Sequence, residues 1–319
     1  MLEKIEKYGM LIMGIILLLL FLLSSTDLIW KENRSEVSRI SIVIDDTDDS
    51  AWTNFKKGMD QAAARYQVEI SFATLYDTNG YSSQQEQIQR EIEDGTDAMV
   101  IAPFDAENIA RYLDETALSI PVEAIISDIP SEKTGLNLII DSYQMGYEMG
   151  GRILDDSSQV QKVIAVTSNK NKESAETYYQ GLMGRLQEAD IPVTLKEVKS
   201  EQEVQDLFDA SNPEKMQVMV GTDATVLNRI CGEAVKRQME KLQLYGNGYT
   251  NRTLRYMEED RIQALTICND YNLGYLCLEN MVYLLRKENR KGRQMQPFYL
   301  IGPEELNSTE YQYVLYPIE

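Results

Sequence analysis

Residues Ile40 to Gly58 read ISIVIDDTDDSAWTNFKKG, and this stretch decides the fold class. An apolar run ends in a cluster of carboxylates and a tryptophan, after which apolar residues return at helical spacing. This pattern is typical of a strand, a polar loop and the opening of a helix. Because the same order recurs along the chain, we expect parallel α/β sheets with ligand sites at the carboxyl ends of the strands.

The polar loop after this first strand is the best candidate for a site. Its carboxylates, Asp45, Asp46, Asp48 and Asp49, either cap the helix in solvent or contact a ligand. We favour contact by at least one of them, because they end a parallel strand. Trp52 is equally compatible with the helix core and with a ligand contact. The loop lacks the glycine and terminal Glu of an EF-hand, so a calcium site is disfavoured.

Composition narrows the function classes. The chain has 319 residues, of which 43% are hydrophobic, so we expect a folded core and two lobes, or one large domain with an appendage. The formal net charge of −20 disfavours a nucleic-acid partner, which needs clustered Lys and Arg. No histidine occurs, which removes the usual general base of a Ser or Cys triad. Cys231, Cys268 and Cys277 lack CxxC spacing and read as buried thiols. We expect no cofactor and no bound metal.

The amino terminus has the pattern of a targeting segment. Lys4 and Lys7 precede an apolar stretch from Tyr8 to Leu23, which is slightly shorter than the roughly 20 residues that cross a bilayer. An uncleaved transmembrane anchor is favoured over a cleaved signal peptide, since Ser24 to Thr26 match a cleavage site only weakly. A charged tether follows. Basic residues on the two sides are nearly balanced, so charge does not decide the orientation.

Downstream, strands and helices alternate. The predicted strands of the first half are 41–44, 68–74, 98–102, 122–126 and 137–140, and those of the second half are 163–166, 193–198, 218–220, 242–245, 264–267, 297–301 and 311–315. The predicted helices are 51–66, 84–93, 106–117, 143–154, 174–189, 201–209, 225–239 and 273–289. Gly146 and Gly150, four residues apart, indicate a helix that packs closely on another backbone. Two similar halves are therefore expected.

These segments carry a resemblance to a known family. The first half reads ISIVIDDTDDSAWTNFKKGMDQAA, QQEQIQREIEDGTDAMVIAPFDAENI, SIPVEAIISDIP and IIDSYQMGYEMGGRIL. The second half reads YYQGLMGRLQEADI, VMVGTDATVLNRICGEAV, QLYGNGY and LTICNDYNLGYLCLENMVYLL. In this order the segments resemble type I periplasmic sugar-binding proteins, which include ribose- and xylose-binding proteins and the effector domains of LacI-type regulators. The resemblance lies in the order of the elements over Ile40 to about Ile318.

The resemblance implies two Rossmann-like lobes with parallel sheets, joined by a three-strand hinge. The apolar segment before them adds one N-terminal transmembrane helix to the expected fold. The crossovers would fall near Asp128–Asp141, near Asn269–Asp270 and near Ile301–Pro303. The implied domains are 1–30 (anchor or signal), 31–39 (tether), 40–141 plus 270–302 (first lobe), and 142–269 plus 303–319 (second lobe). Such lobes close on a small ligand.

The resemblance also implies ligand-binding residues. Asp49 stands at a polar contact, Trp52 at a stacking aromatic, Asp128 at an acid after the fourth strand, and Asp141 at a crossover acid. The remaining implied contacts are Tyr178, Thr222, Asp223, Asn247 and Asn269. Tyr178 replaces the family's arginine, and Asn247 replaces an acid. These departures are compatible with a changed ligand or with a protein partner at the cleft.

The sequence therefore favours an extracytoplasmic solute-binding protein, anchored to the cell membrane by a single pass, that captures a sugar-like small molecule. It would pass the ligand to an ABC transporter or signal it to a membrane sensor such as a histidine kinase. The alternative is a membrane-anchored, carboxylate-dependent enzyme such as a glycosidase, although nothing singles out an acid pair. A transcription regulator is disfavoured, because an apolar segment stands where a helix-turn-helix would be.

Overall fold

The computed structural model describes residues 13–19, 21, 37–77, 80–116, 118–156, 160–210, 218–288 and 290–317. The chain divides into two units, Met1–Ser38 and Arg39–Glu319. In the first unit, residues 13–19 are helical and exposed. Most of the predicted anchor, residues 1–30, and most of the tether, residues 31–39, lie outside the described residues. Within the described part, no helix has the length and apolar character that a membrane span requires.

The first lobe is built on a six-stranded parallel sheet. Its strands are β1 (Arg39–Val43), β2 (Glu69–Ala73), β3 (Ala98–Ile101), β4 (Val122–Ile126), β5 (Leu136–Ile140) and β11 (Gly292–Gln296), in the order β11-β5-β4-β3-β1-β2. Its helices are α1 (Thr53–Tyr66), α2 (Tyr81–Glu93), α3 (Ala106–Glu115) and α9 (Asp270–Leu285). Side chains of α1 and α9 cover one face of the sheet, and those of α2 and α3 cover the other.

The second lobe repeats this plan. Its strands are β6 (Val163–Thr167), β7 (Val193–Glu197), β8 (Val218–Gly221), β9 (Gln243–Asn247), β10 (Ile262–Cys268) and β12 (Phe298–Ile301), in the order β12-β10-β9-β8-β6-β7. Only the β10–β12 pair is antiparallel. Its helices are α4 (Ser142–Asp156), α5 (Glu173–Gln187), α6 (Glu201–Ala210), α7 (Ala224–Lys236), α8 (Asn251–Glu258) and α10 (Thr309–Leu315). The prediction of two α/β lobes with parallel sheets is confirmed.

The two sheets share a strand order that determines where a ligand can bind. Apart from β11 and β12, the orders are β2-β1-β3-β4-β5 and β7-β6-β8-β9-β10. Such sheets bury both faces, which is why β3 is buried along its whole length. In each sheet the winding reverses beside the first strand, β1 or β6, and a crevice opens at the carboxyl ends there. The loops after β1, β3, β6 and β8 are therefore placed to form a site.

The chain passes between the lobes at three points: from β5 to α4 at Asp141, from β10 to α9 at Asn269, and from β11 to β12 at Pro297. The expected third crossover near Ile301–Pro303 is wrong, and so is the assignment of all of 270–302 to the first lobe. The reason is that β12 pairs with β10 in the second sheet, with Cys268 opposite Phe298. Pro297, between the two strands, marks the passage.

Glycines let paired helices approach at their backbones in both lobes. A Cβ atom at Gly58 of α1 would lie 1.9 Å from the carbonyl oxygen of Tyr271 in α9. Likewise, a Cβ atom at Gly146 of α4 would lie 2.0 Å from the carbonyl oxygen of Tyr178 in α5. Both distances are too short for any side chain. The close packing predicted for Gly146 is therefore confirmed, and the same device recurs in the two lobes.

Three elements differ from the sequence-based expectation. The strand predicted at 311–315 is wrong: this segment forms α10, which follows a 3-10 turn at Pro303–Asn307 and buries Val314 and Leu315 in the second lobe. Strand β11 was not predicted, because its sequence GRQMQ is polar and mostly exposed. Helix α8 was also not predicted, because it is short and only three of its residues, Thr253, Leu254 and Met257, are buried.

Candidate functional site

A cavity of about 140 Å³ lies between the two lobes. It opens where β1 of the first sheet and β6, β8 and β9 of the second sheet end, as the strand order predicts. Aromatic and aliphatic side chains line one part, and carboxylates, hydroxyls and amides line the rest. A small number of polar groups on an apolar background is typical of small-molecule sites.

Trp52 provides the aromatic wall. It ends the 3-10 turn Ser50–Trp52, which leads into α1, and it is 8% exposed. Its ring packs edge-on against Phe55 at 5.1 Å and Phe72 at 6.1 Å between ring centroids. Trp52 thus belongs to the core of the first lobe and also lines the cavity. A place in the core and a contact with a ligand, the two alternatives for Trp52, are therefore compatible.

An ion pair crosses the cavity from one lobe to the other. Lys172, at the start of α5, directs its Nζ to Asp45 Oδ1 at 3.1 Å and to Asp46 Oδ2 at 3.6 Å. Asp45 is 3% exposed and Lys172 is 8% exposed. Asp46 also accepts a bond from the backbone N–H of Thr47 at 2.8 Å, which fixes the turn after β1. The pair therefore joins the lobes in a place nearly free of solvent.

Burial and charge act in opposite directions on this pair. Burial raises the pKa of Asp45 to about 6, even though Lys172 opposes the shift. Burial alone would lower the pKa of Lys172, but Asp45, Asp46 and Asp223 outweigh it and raise that pKa. Lys172 is therefore held as an ammonium, and its charge depends on the carboxylates facing it.

The second lobe supplies a connected set of polar groups. Asp223 caps α7 by accepting from the backbone N–H of Val226 at 2.8 Å, and it accepts from the Ser168 hydroxyl at 2.8 Å. Asn247 donates to the carbonyl of Thr222 at 3.2 Å and accepts from the Thr266 hydroxyl at 3.0 Å. These bonds fix the loops after β8 and β9 at the cavity.

Asp270 brings a further carboxylate to the cavity from the first residue of α9. Burial raises its pKa to about 7, although the neighbouring phenol of Tyr249 opposes the shift. Carboxyl groups in a cleft whose pKa is raised strongly by burial are typical of functional sites. Tyr249 lines the same cavity from the second lobe.

Four of the predicted site residues line the cavity: Trp52, Thr222, Asp223 and Asn247. The others lie elsewhere. Asp49 forms a partly exposed ion pair with Lys56 at 2.6 Å, outside the cavity lining. Tyr178 is fully buried in the core of the second lobe, where its hydroxyl lies 3.5 Å from the hydroxyl of Thr266.

Three more predicted residues are engaged by neighbouring backbone or side chains. Asp128 pairs with Arg293 at 2.6 Å and lines a separate surface depression. Asp141 accepts from the backbone N–H of Gln144 at 2.9 Å at the start of α4, and Asn269 caps α9 in the same way. The structure therefore does not bring these five residues, Asp49, Asp128, Asp141, Tyr178 and Asn269, to the cavity.

Sequence reasoning missed Lys172 and Asp270. Lys172 lies in the loop after β6, at the same sheet edge as the predicted residues, and this position was the available signal. Asp270 follows the predicted Asn269 directly, so the segment was right and the residue was wrong. Asp45 and Asp46 belonged to the predicted carboxylate cluster but were not selected from it.

Contacts on both sides of the cavity hold the lobes together. On one side, the backbone N–H of Glu173 donates to the carbonyl of Phe104 at 3.0 Å, and Glu173 Oε2 accepts from the N–H of Ala106 at 2.7 Å. On the other side, Asn54 donates to the Tyr249 hydroxyl at 3.0 Å and to the carbonyl of Leu315 at 2.9 Å. The structure is thus that of a closed pair of lobes.

Solved structures of bacterial solute-binding proteins are similar to this chain in fold. A carbohydrate transporter solute-binding protein from Agrobacterium radiobacter, in complex with D-arabinose, has a TM-score of 0.78 and 16% identity, covering 88% of this chain and 99% of that one. An ABC transporter solute-binding protein from Agrobacterium vitis, bound with α-D-tagatopyranose, has a TM-score of 0.77 and 14% identity, covering 88% and 100%. GanP, a glucose-galactose binding protein from Geobacillus stearothermophilus, has a TM-score of 0.72 and 17% identity, covering 85% and 99%.

At these identities the structural similarity shows the fold. No curated protein is a significant sequence match. The sequence comparison with protein families is decisive, because one family model spans most of the unit that holds both lobes. Residues 40–289 match the periplasmic binding protein domain, and the chain belongs to that family.

Proposed function

We propose that this protein is a solute-binding protein that captures a sugar-like small molecule between its two lobes. The observation that carries the proposal is the cavity at the carboxyl ends of both parallel sheets, with Trp52 on one side and carboxylates and amides around it. A sugar ring has apolar C–H faces that suit an indole, and hydroxyl groups that suit Asp and Asn. The sugars bound in the similar structures, D-arabinose and α-D-tagatopyranose, support this ligand class.

The proposal includes location and partners. The family supports a binding domain outside the cytoplasm, and the apolar segment Tyr8–Leu23 with Lys4 and Lys7 before it supports a single-pass membrane anchor. A tethered binder stays beside its membrane partner at high effective concentration. We infer that this partner is an ABC permease or a membrane sensor such as a histidine kinase.

A saccharide screen tests the proposed function. Full-length protein is heated with pentoses, hexoses, their 2-amino derivatives and small polyols, and the unfolding midpoint Tm is recorded. A true ligand at about 100 times its Kd stabilises the folded state by about 2.7 kcal/mol, which raises Tm by about 5 °C.

The control variant is Trp52→Leu, which keeps an apolar side chain in the core but removes the flat ring. We expect it to lose most of the Tm increase. If no saccharide or polyol raises Tm of the unaltered protein, the proposed function is contradicted.

A further inference from the structure

The charges around the cavity do not balance. Among the described residues that line it, the acidic ones are Asp45, Asp46, Asp223 and Asp270, and the only cation is Lys172. Three negative charges are in excess when all five groups are ionised. A neutral sugar cannot compensate this excess, since hydroxyl groups carry no net charge.

Three of the four carboxylates already have partners in the protein. Asp45 and Asp46 face Lys172, and Asp223 accepts from Val226 and from the backbone and hydroxyl of Ser168. Asp270 differs from them. Within the described part of the chain no salt bridge joins it to a Lys or Arg, and its neighbour is the phenol of Tyr249, which donates its proton to the carbonyl of Val314 at 3.1 Å. Asp270 is the carboxylate with capacity left for a ligand.

A second observation points to a ligand at the same place. Thr222 lines the cavity from the second lobe and is 1% exposed, yet its hydroxyl Oγ1 has no hydrogen-bonding partner among the described residues. A buried hydroxyl without a partner costs free energy, and native proteins seldom leave one unpaired. A ligand hydroxyl in the cavity would supply the hydrogen-bonding partner that the Thr222 hydroxyl lacks.

We propose that the ligand of this cavity carries an ammonium group on a hydroxylated ring, as in an amino sugar, with Asp270 binding the ammonium and Thr222 binding a hydroxyl. This inference rests on the proposed function and narrows its ligand class. The two residues come from opposite lobes, so one ligand that contacts both would favour closure. An ammonium donates three hydrogen bonds and supplies the charge that the lining lacks.

Matched ligand pairs test the inference. Binding of D-galactosamine, D-glucosamine and D-mannosamine to the full chain is measured by calorimetry at pH 7 and compared with D-galactose, D-glucose and D-mannose. The N-acetyl derivatives keep the substituent but lose the charge. We expect at least one amino sugar to bind at least tenfold more tightly than both its parent sugar and its N-acetyl form.

Two variants test whether Asp270 causes the preference for amino sugars over their parent sugars. In Asp270→Asn, the affinity ratio of amino sugar to parent sugar should fall to about one. In Asp49→Asn, whose carboxylate lies outside the cavity lining, the ratio should not change. If the parent sugars bind as tightly as the amino sugars, the inference is overturned and the proposed function stands. If no sugar of any pair binds, the inference is overturned, and the screen of saccharides and polyols decides the proposed function separately.

Discussion

Replacing Lys172 by Met is expected to weaken ligand binding by about 30-fold or more. Met keeps most of the stem of the lysine but removes the ammonium that faces Asp45 at 3.1 Å. In the closed form Asp45 is 3% exposed, so its carboxylate would lose its compensating charge where water cannot reach it. Opening of the lobes would hydrate the carboxylate again. The substitution therefore destabilises the closed form relative to the open form. Truncating one member of a buried pair costs about 2 kcal/mol or more, which corresponds to about 30-fold in Kd.

The control for this variant is Lys56→Met. Lys56 pairs with Asp49 at 2.6 Å, but the pair is open to solvent on part of its surface and lies outside the cavity lining. Exposed pairs contribute about 0.2–1 kcal/mol to stability, and this one should not change the Kd measured by calorimetry. A second variant, Asp45→Asn with Lys172→Met, should recover part of the lost affinity because it removes the uncompensated charge. Equal effects of Lys172→Met and Lys56→Met on Kd would contradict the account.

Replacing Asp270 by Asn is expected to stabilise the ligand-free protein at neutral and alkaline pH. Burial raises the pKa of Asp270 from 3.8 to about 7, so the folded state holds its proton over a range in which the unfolded chain has released it. The free energy of unfolding of the wild type therefore falls as pH rises from about 4 to about 7, and Asn removes this dependence. We expect the variant to be more stable by about 2–4 kcal/mol at pH 8, and no different at pH 3.5.

Urea unfolding at several pH values measures this difference. The groups that face Asp270 are the Tyr249 phenol and the Cys268 thiol, and neither is charged over this pH range because burial raises the pKa of both. A matched control is Asp141→Asn, an exposed cap of α4 where Asn caps as well as Asp does. It should change stability by less than about 0.5 kcal/mol. A wild type that is more stable than Asp270→Asn at pH 8 would show that the carboxylate gains from its surroundings.

The alternation of elements was predictable because each buried strand leaves a distinct apolar run. Ile40 to Ile44 and Ala98 to Ala102 are such runs, and both are strands of a sheet covered on two faces. Strand β11 was not predictable, because an exposed strand at the edge of a sheet needs no apolar sequence pattern. The segment 311–315 alternates aromatic and polar residues like a strand, yet the turn before it starts a helix whose end packs on the core.

The candidate site was less predictable, because polar residues after a strand have two uses. Asp141 and Asn269 were expected at the cavity, but each caps the helix that follows its strand. Helix capping and ligand contact favour the same residue types at the same position. The Asp45–Lys172 pair depends on how the two lobes close, and local sequence patterns contain no information on that contact.

The fluorescence of Trp52 offers the most direct test that the cavity between the lobes binds sugar. The chain has two tryptophans, Trp30 and Trp52, so a Trp30→Phe variant leaves Trp52 as the single reporter. Trp52 lines the cavity and is 8% exposed. We predict that a sugar or amino sugar that raises Tm also changes the Trp52 emission in a saturable way, with the Kd found by calorimetry. Binding by calorimetry without any change in Trp52 emission would place the ligand elsewhere and contradict the central claim.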